Sequence, residues 1–257
     1  MSILERATEL QRLHAEPDLL VLVNTWDVIS ARTVAGVPGT RALATASHSI
    51  AAAYGYPDGE QIPRDLMIEA VGGIAAAVDL PVTADLEAGY GDPGGTIARA
   101  IDVGIVGANL EDQLKPLPDA VRAVAQAVAA GERAGIPFVL NARTDAFLRP
   151  GGRSPESVLA DAVERGRAYL DAGASTVFVP GLLDEATVAA LVAGLGERKV
   201  TLIAVPGTPP LATLERLGVA RVSFGPWSQN VALTALQDFT ADAVNGGALP
   251  EGTRRLN

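Results

Sequence analysis

From residue 19 onward the chain repeats one unit, a short apolar run of strand length followed by a helical pattern. The runs fall at 19–23, 41–46, 82–87, 105–110, 138–142, 176–179, 200–205 and 221–224. None shows the strict in/out alternation of a sheet with one wet face, and strands buried on both faces and joined by helices are the mark of a parallel sheet. Eight such units predict a closed (β/α)8 barrel of the TIM type, with 1–257 as a single domain. A doubly wound open sheet is the alternative. At 257 residues, 48% of them hydrophobic, the chain has the material for a core of that size.

The intervening helical patterns are expected at 63–78, 95–103, 120–134, 155–172, 185–192 and 211–217, with another after Asp27 running to about residue 35. Asp27 or Thr25 is a suitable cap for that one. Ahead of the first strand, 1–15 reads as an amphipathic helix carrying Glu5, Arg6, Glu9, Arg12 and a solvent-facing His14, rather than as a secretory signal. No apolar run is long enough to span a membrane. There is no cysteine, which excludes disulfides, thiolate metal sites and cysteine catalysis and makes a cytoplasmic protein the default. The net charge of -10 disfavours nucleic acid and anionic membranes as partners while leaving room for a local positive pocket.

In a barrel the working groups sit on the loops that follow the strands. Here that rule selects Asn24, Ser47, His48, Asp58, Asp85, Glu87, Glu111, Asp112, Arg143 and Asp145. Asp85 and Glu87 are alternate residues at the end of one apolar run, so they share a face. Two like charges so close raise each other's proton affinity unless a cation lies between them. With Glu111 and Asp58 they form an all-oxygen set suited to Mg2+ or Mn2+, while the scarcity of histidine argues against zinc. The structural alternatives are helix capping and ion pairs with Arg64, Arg99 or Lys115.

Gly89-Tyr90-Gly91-Asp92-Pro93-Gly94 fits the G-x-G-x-x-G pattern of dinucleotide loops. Asp92 inside it and Asp85 and Glu87 just before it would repel a pyrophosphate, so the glycines are read as a tight turn beside a metal or substrate. Arg143 ends an apolar strand and suits a two-pronged grip on a carboxylate or phosphonate, the alternative being an internal pair with Glu111 or Asp145. His48 is a candidate proton carrier. Trp26 and Trp227 either line a pocket or plug the barrel mouth, and plugging is the expectation.

Four stretches, 49–58 (SIAAAYGYPD), 85–91 (DLEAGYG), 109–113 (NLEDQ) and 141–147 (NARTDAF), resemble the isocitrate lyase and phosphoenolpyruvate mutase superfamily. The match runs in order from Asn24 to Leu148. The resemblance implies a barrel that binds Mg2+ through Asp58, Asp85, Glu87 and Glu111, mostly by way of water. It implies 2-oxo acids, their enols or 2-hydroxy tricarboxylates as substrates, held near Ser47 and His48 and by Arg143. The shared chemistry makes or breaks a bond next to a carbonyl through a metal-stabilised enolate. Three features depart from the pattern. Glu87 replaces the usual aspartate, Ala46-Ser47-His48 replaces the usual Ser-Gly-large sequence, and loop 113–119 (QLKPLPD) lacks the lyases' Cys-Gly-His acid.

The resemblance therefore predicts a Mg2+-dependent lyase for a small 2-oxo or 2-hydroxy polycarboxylate, with an oxaloacetate-like acid as substrate and with isocitrate or methylisocitrate cleavage absent or slow. Arg143, Asp58 and His48 are the expected catalytic groups, and Ser47, His48 and Arg143 the substrate-binding ones. The alternatives are a phosphonomutase acting on P–C bonds and a metal-dependent dicarboxylate binder without catalysis. The last helical pattern, 229–244, puts Val231, Leu233, Leu236, Phe239 and Val244 on more than one side. Such a helix needs a second surface, which predicts its exchange between subunits of a homodimer or homotetramer.

Overall fold

The computed structural model describes residues 1–256 and shows parallel strands wound into a barrel. The strand segments are β1 (Leu20–Leu22), β2 (Asn24–Thr25), β3 (Leu43–Thr45), β4 (Val82–Asp85), β5 (Gly107–Glu111), β6 (Val139–Arg143), β7 (Thr176–Phe178), β8 (Val200–Ile203) and β9 (Arg221–Ser223). Every pairing is parallel, in the order β1-β9-β8-β7-β6-β5-β4-β3-β2. The expected run 19–23 thus becomes two segments, with β1 paired to β9 and β2 to β3. Because β1 and β2 are successive parts of one strand, changing partner at Val23 closes the barrel. Asn24 holds the seam: its Nδ2 donates to the Thr45 carbonyl at 2.8 Å, and its Oδ1 accepts from the amides of Phe224 and Gly225 at 2.7 and 2.8 Å.

Helices alternate with the strands: α2 (Val28–Ala35), α3 (Ser47–Ala53), α4 (Arg64–Ala76), α5 (Pro93–Asp102), α6 (Leu117–Ala134), α7 (Pro155–Asp171), α8 (Glu185–Leu195), α9 (Leu211–Arg216) and α10 (Trp227–Val244). Several open on side-chain caps that accept an orphan amide, among them Asp27, Asp92, Ser154 and Asp184. Among the described residues no helix is long and apolar enough to cross a membrane.

The leading helix, α1 (Ile3–Ala15), starts at a capping box between Ser2 and Glu5. Its buried Ala7, Leu10 and Leu13 pack on Leu20, Leu22, Ala42, Val106 and Val139, so α1 covers the N-terminal end of the barrel. His14 is buried there rather than solvent-facing, because it lies on the same stripe; its Nδ1 bonds the Leu10 carbonyl at 2.8 Å. At the other end of the chain, α10 behaves differently. Only Gln229 is buried, and Val231, Leu236 and Val244 are 72%, 57% and 76% exposed. It touches its own barrel at its N-terminal turn, where Ser228 bonds the Asn24 carbonyl and Gln229 the Ser49 carbonyl.

Candidate active site at the mouth of the barrel

Asp85, Glu111 and Arg143 are the last residues of β4, β5 and β6. Parallel register sets Glu111 opposite Arg143 and Asp85 opposite Asn109. The strand ends therefore deliver two acids and one guanidinium to a single rim. Glu87, two residues past Asp85, is buried in the loop that follows. Of the six non-glycine residues with positive φ among the described residues, Glu60, Glu87, Tyr90, Gln113 and Leu114 all lie in the loops around this rim. Left-handed backbone at such residues is costly, and it concentrates where a site holds side chains in fixed directions.

Each acid already has a protein partner. Asp85 Oδ2 accepts from the Ser47 hydroxyl at 2.8 Å and the Ser47 amide at 3.3 Å. Glu87 accepts from the Glu60 amide and stands 3.3 Å from the Tyr90 hydroxyl. Glu111 Oε2 lies 2.9 Å from Arg143 Nη1, and Asp145 Oδ1 lies 2.8 Å from Arg143 Nε. Both internal pairs set against an anion-binding role for Arg143 are thus present, yet its Nη2 makes no hydrogen bond among the described residues. Arg64 pairs instead with Asp92, and Arg99 with Asp65.

Charge crowding marks the site. Burial pushes the Glu87 carboxyl up to about 7, and Asp58, Asp85 and Glu111 add to the rise. Burial likewise pushes Glu111 up to about 7 even with Arg143 beside it. Desolvated like charges of this kind lose their penalty when a cation joins them. The donor set, all carboxylate oxygen, fits a hard divalent ion. Among the described residues no three acids or histidines converge closely enough to ligate one directly.

The other sequence-selected residues fall as follows. Ser47 and His48 are not loop residues; they form the first turn of α3, whose Ile50-Ala51-Ala52-Ala53 run favours helix. Ser47 is buried against Asp85, while His48 is exposed and its ring makes no hydrogen bond within the protein among the described residues. Asp58 is exposed on the loop before α4, close enough to act on Glu87. The glycine-rich match is a turn and helix cap. Asp92 accepts the Gly95 amide at 3.0 Å, filling the place a phosphate needs, and Gly89 (φ +87°) has Pro93 Cα where a Cβ would sit. Trp26 and Trp227 do not plug the mouth; with Ile29, Val34 and Val231 they line an apolar cavity of about 550 Å3 between α2 and α10.

Sequence reasoning selected Asp112 but missed Glu60, Tyr169 and Arg165 and the bonds that hold the loops. Glu60 ties its loop to the one after β4, its amide on Glu87 and its carboxylate accepting the Tyr90 amide at 2.5 Å. Asp112, buried next to Glu111, accepts four bonds. Its Oδ1 takes the amides of Leu114 (2.9 Å) and Asp145 (3.0 Å), and its Oδ2 takes the Tyr169 hydroxyl (2.7 Å) and Arg165 Nη1 (3.2 Å). Thus α7 clamps the loops after β5 and β6. The available signal was a tyrosine and an arginine four residues apart on an otherwise apolar helix face.

The family model described as phosphoenolpyruvate phosphomutase matches residues 10–244. The chain belongs to that family. Within it, the barrel is similar to the crystal structure of a candidate phosphonomutase from Burkholderia cenocepacia, with a TM-score of 0.86 and 42% identity, covering 92% of this chain and 99% of that one. An uncharacterized protein of Mycobacterium tuberculosis is 34% identical over 241 residues, 93% of this chain and 90% of that protein. Oxaloacetate decarboxylase of Ectopseudomonas mendocina is 30% identical over 254 residues, 93% of this chain and 86% of that protein. In this member of the phosphoenolpyruvate phosphomutase family, the motifs at 85–91, 109–113 and 141–147 fall at the ends of β4, β5 and β6.

Proposed function

We propose that the chain is a divalent-metal-dependent lyase for a small 2-oxo or 2-hydroxy polycarboxylate, with an oxaloacetate-like acid as substrate. The observation that carries the reading is the cluster of Asp85 with the desolvated Glu87 and Glu111 on one rim with Arg143. Its likeness to an oxaloacetate decarboxylase over most of both chains supports the substrate class.

Asp85, Glu87, Glu111 and Asp58 would hold Mg2+ or Mn2+, largely through water. Bound there, the ion would supply Lewis-acid polarisation of the substrate's oxo group. Arg143 is fixed by Glu111 and Asp145 and offers Nη2 to a substrate carboxylate, which sets the reacting bond in one place. Ser47, in the first turn of α3, orients Asp85. The short loop 113–119 has its Lys115 amide on the Asp112 carbonyl at 2.8 Å and carries no thiol to act as the acid for a large hydroxy-acid product. Decarboxylation fits that loop, because the electron pair left by CO2 takes its proton from solvent. A phosphonomutase acting on P–C bonds is the second reading, favoured by the similarity to the Burkholderia protein.

The exposed apolar residues of α10 support a further part of the reading, that this helix docks on a second copy in a homodimer or homotetramer. The site itself is tested by calorimetry with Mg2+ and oxalate. The wild-type chain should bind oxalate only with the metal, and Asp85→Ala should lose that dependence; unchanged metal-dependent affinity in a folded Asp85→Ala removes the assignment.

A further inference from the structure

Arg221, the first residue of β9, is the largest side chain fully enclosed by the protein, at 1% exposure. It makes one hydrogen bond, from Nη2 to Asn109 Oδ1 at 3.3 Å, and no ion pair among the described residues; Nε and Nη1 are buried without partners. An enclosed guanidinium without a contacting carboxylate is a costly thing for a core to hold.

Its surroundings connect it to the site. Asn109 lies opposite Asp85 across β4 and β5, and shares its face with Glu111 two residues on. Asn109 Oδ1 also accepts from Asn141 Nδ2 at 2.8 Å, and Asn141 Oδ1 accepts from Thr176 and Thr201, each at 2.8 Å. This polar belt runs through the barrel beneath the rim, from β5 to β9. The acid whose charge acts on Arg221 is Asp85. His14, whose ring burial keeps neutral, is itself acted on by the charges of Arg221 and Arg198.

We propose that Arg221 is a positioning residue: it fixes Asn109 beneath the acids, and its positive charge, held without an ion pair, offsets the negative charge that gathers when a dianionic substrate enters among four carboxylates. The inference rests on the proposed function, since it concerns the same site. It has a signed consequence. A buried positive charge near the rim favours the anionic ligand and opposes the cation, whereas a merely structural role would support both alike.

The test compares full-length wild type, Arg221→Met and Arg221→Lys by calorimetry with Mn2+ alone and with oxalate at saturating Mn2+, together with thermal unfolding. Arg221→Met should fold with an unchanged or higher midpoint, because an apolar side chain of similar length replaces an unpaired charge. It should bind Mn2+ as tightly as wild type or more tightly, and oxalate on the order of ten-fold more weakly. Arg221→Lys, keeping the charge, should retain most of the oxalate affinity. Unchanged oxalate binding in Arg221→Met, parallel loss of both ligands, failure of Arg221→Met to fold, or loss of oxalate affinity in Arg221→Lys would each overturn the proposal. A wild-type chain that binds no Mn2+ would remove the proposed function and this inference with it, whereas wild-type binding with an indifferent Arg221→Met removes this inference alone.

Discussion

Tyr169→Phe deletes one oxygen and keeps the ring, so it isolates the clamp that α7 places on the loops after β5 and β6. The hydroxyl donates to Asp112 Oδ2 at 2.7 Å, with Tyr169 and Asp112 only 1% and 5% exposed, so water does not replace it. Burial and the Asp112 charge both raise the phenol's pKa, so it remains a proton donor at any working pH. A hydrogen bond to a buried charged group contributes about 1.5–3 kcal/mol. Arg165 still reaches the same oxygen, which argues for the lower half of that range, about 2 kcal/mol. For a chain of this size each kcal/mol moves the midpoint by about 2–4 °C, so thermal unfolding should shift down by about 4–8 °C. Oxalate affinity should fall with it, because Asp112 also holds the Asp145 amide and Asp145 holds Arg143. A midpoint within a degree of wild type would refute the reasoning, since it would mean that Asp112 needs no donor on Oδ2 beyond Arg165.

Two further expectations concern acid stability and assembly. His14 has its pKa lowered from an ordinary 6.5 to about 3 by burial and by Arg221, so the stability tied to its neutral ring is fully present above about pH 6.5 and is lost as pH falls toward 3. Denaturant midpoints should decline across that window and decline less steeply in His14→Gln; equal slopes would show that another group governs it. Light scattering should find the full chain dimeric or tetrameric and a chain ending before Gln229 smaller in assembly. A full-length monomer, or a truncated form of unchanged size, counts against α10 as the contact.

The barrel was legible because each strand is an apolar run marked off by glycine, proline or a polar end, a local pattern that needs no knowledge of neighbours. Asp85, Glu87, Glu111 and Arg143 were legible for the same reason: a charge at the end of a buried strand is conspicuous in one dimension. What escaped depends on distant partners. The change of strand partner at Val23 is set by Asn24 reaching Phe224, 200 residues on. Tyr169 and Asp112 are 57 residues apart, and Glu60 and Tyr90 thirty. His14 looked solvent-facing because a polar residue in a helix's last turn is normally outside, and only the barrel floor beneath α1 turns that stripe inward. The α3 helix is a case of local signal outweighed, since Ser47-His48-Ser49 reads as loop while the alanines after it favour helix.

The central claim is tested most directly by pyruvate release from oxaloacetate, measured for wild type and Asp85→Ala with Mg2+ and with chelator, the variant correcting for catalysis by free metal. The account predicts turnover by wild type that requires the metal, a rate at the buffer level for Asp85→Ala, and much slower cleavage of isocitrate and methylisocitrate. Wild-type turnover undiminished by chelator, isocitrate cleaved as fast as oxaloacetate, or no reaction of oxaloacetate alongside phosphate release from phosphonopyruvate would contradict it.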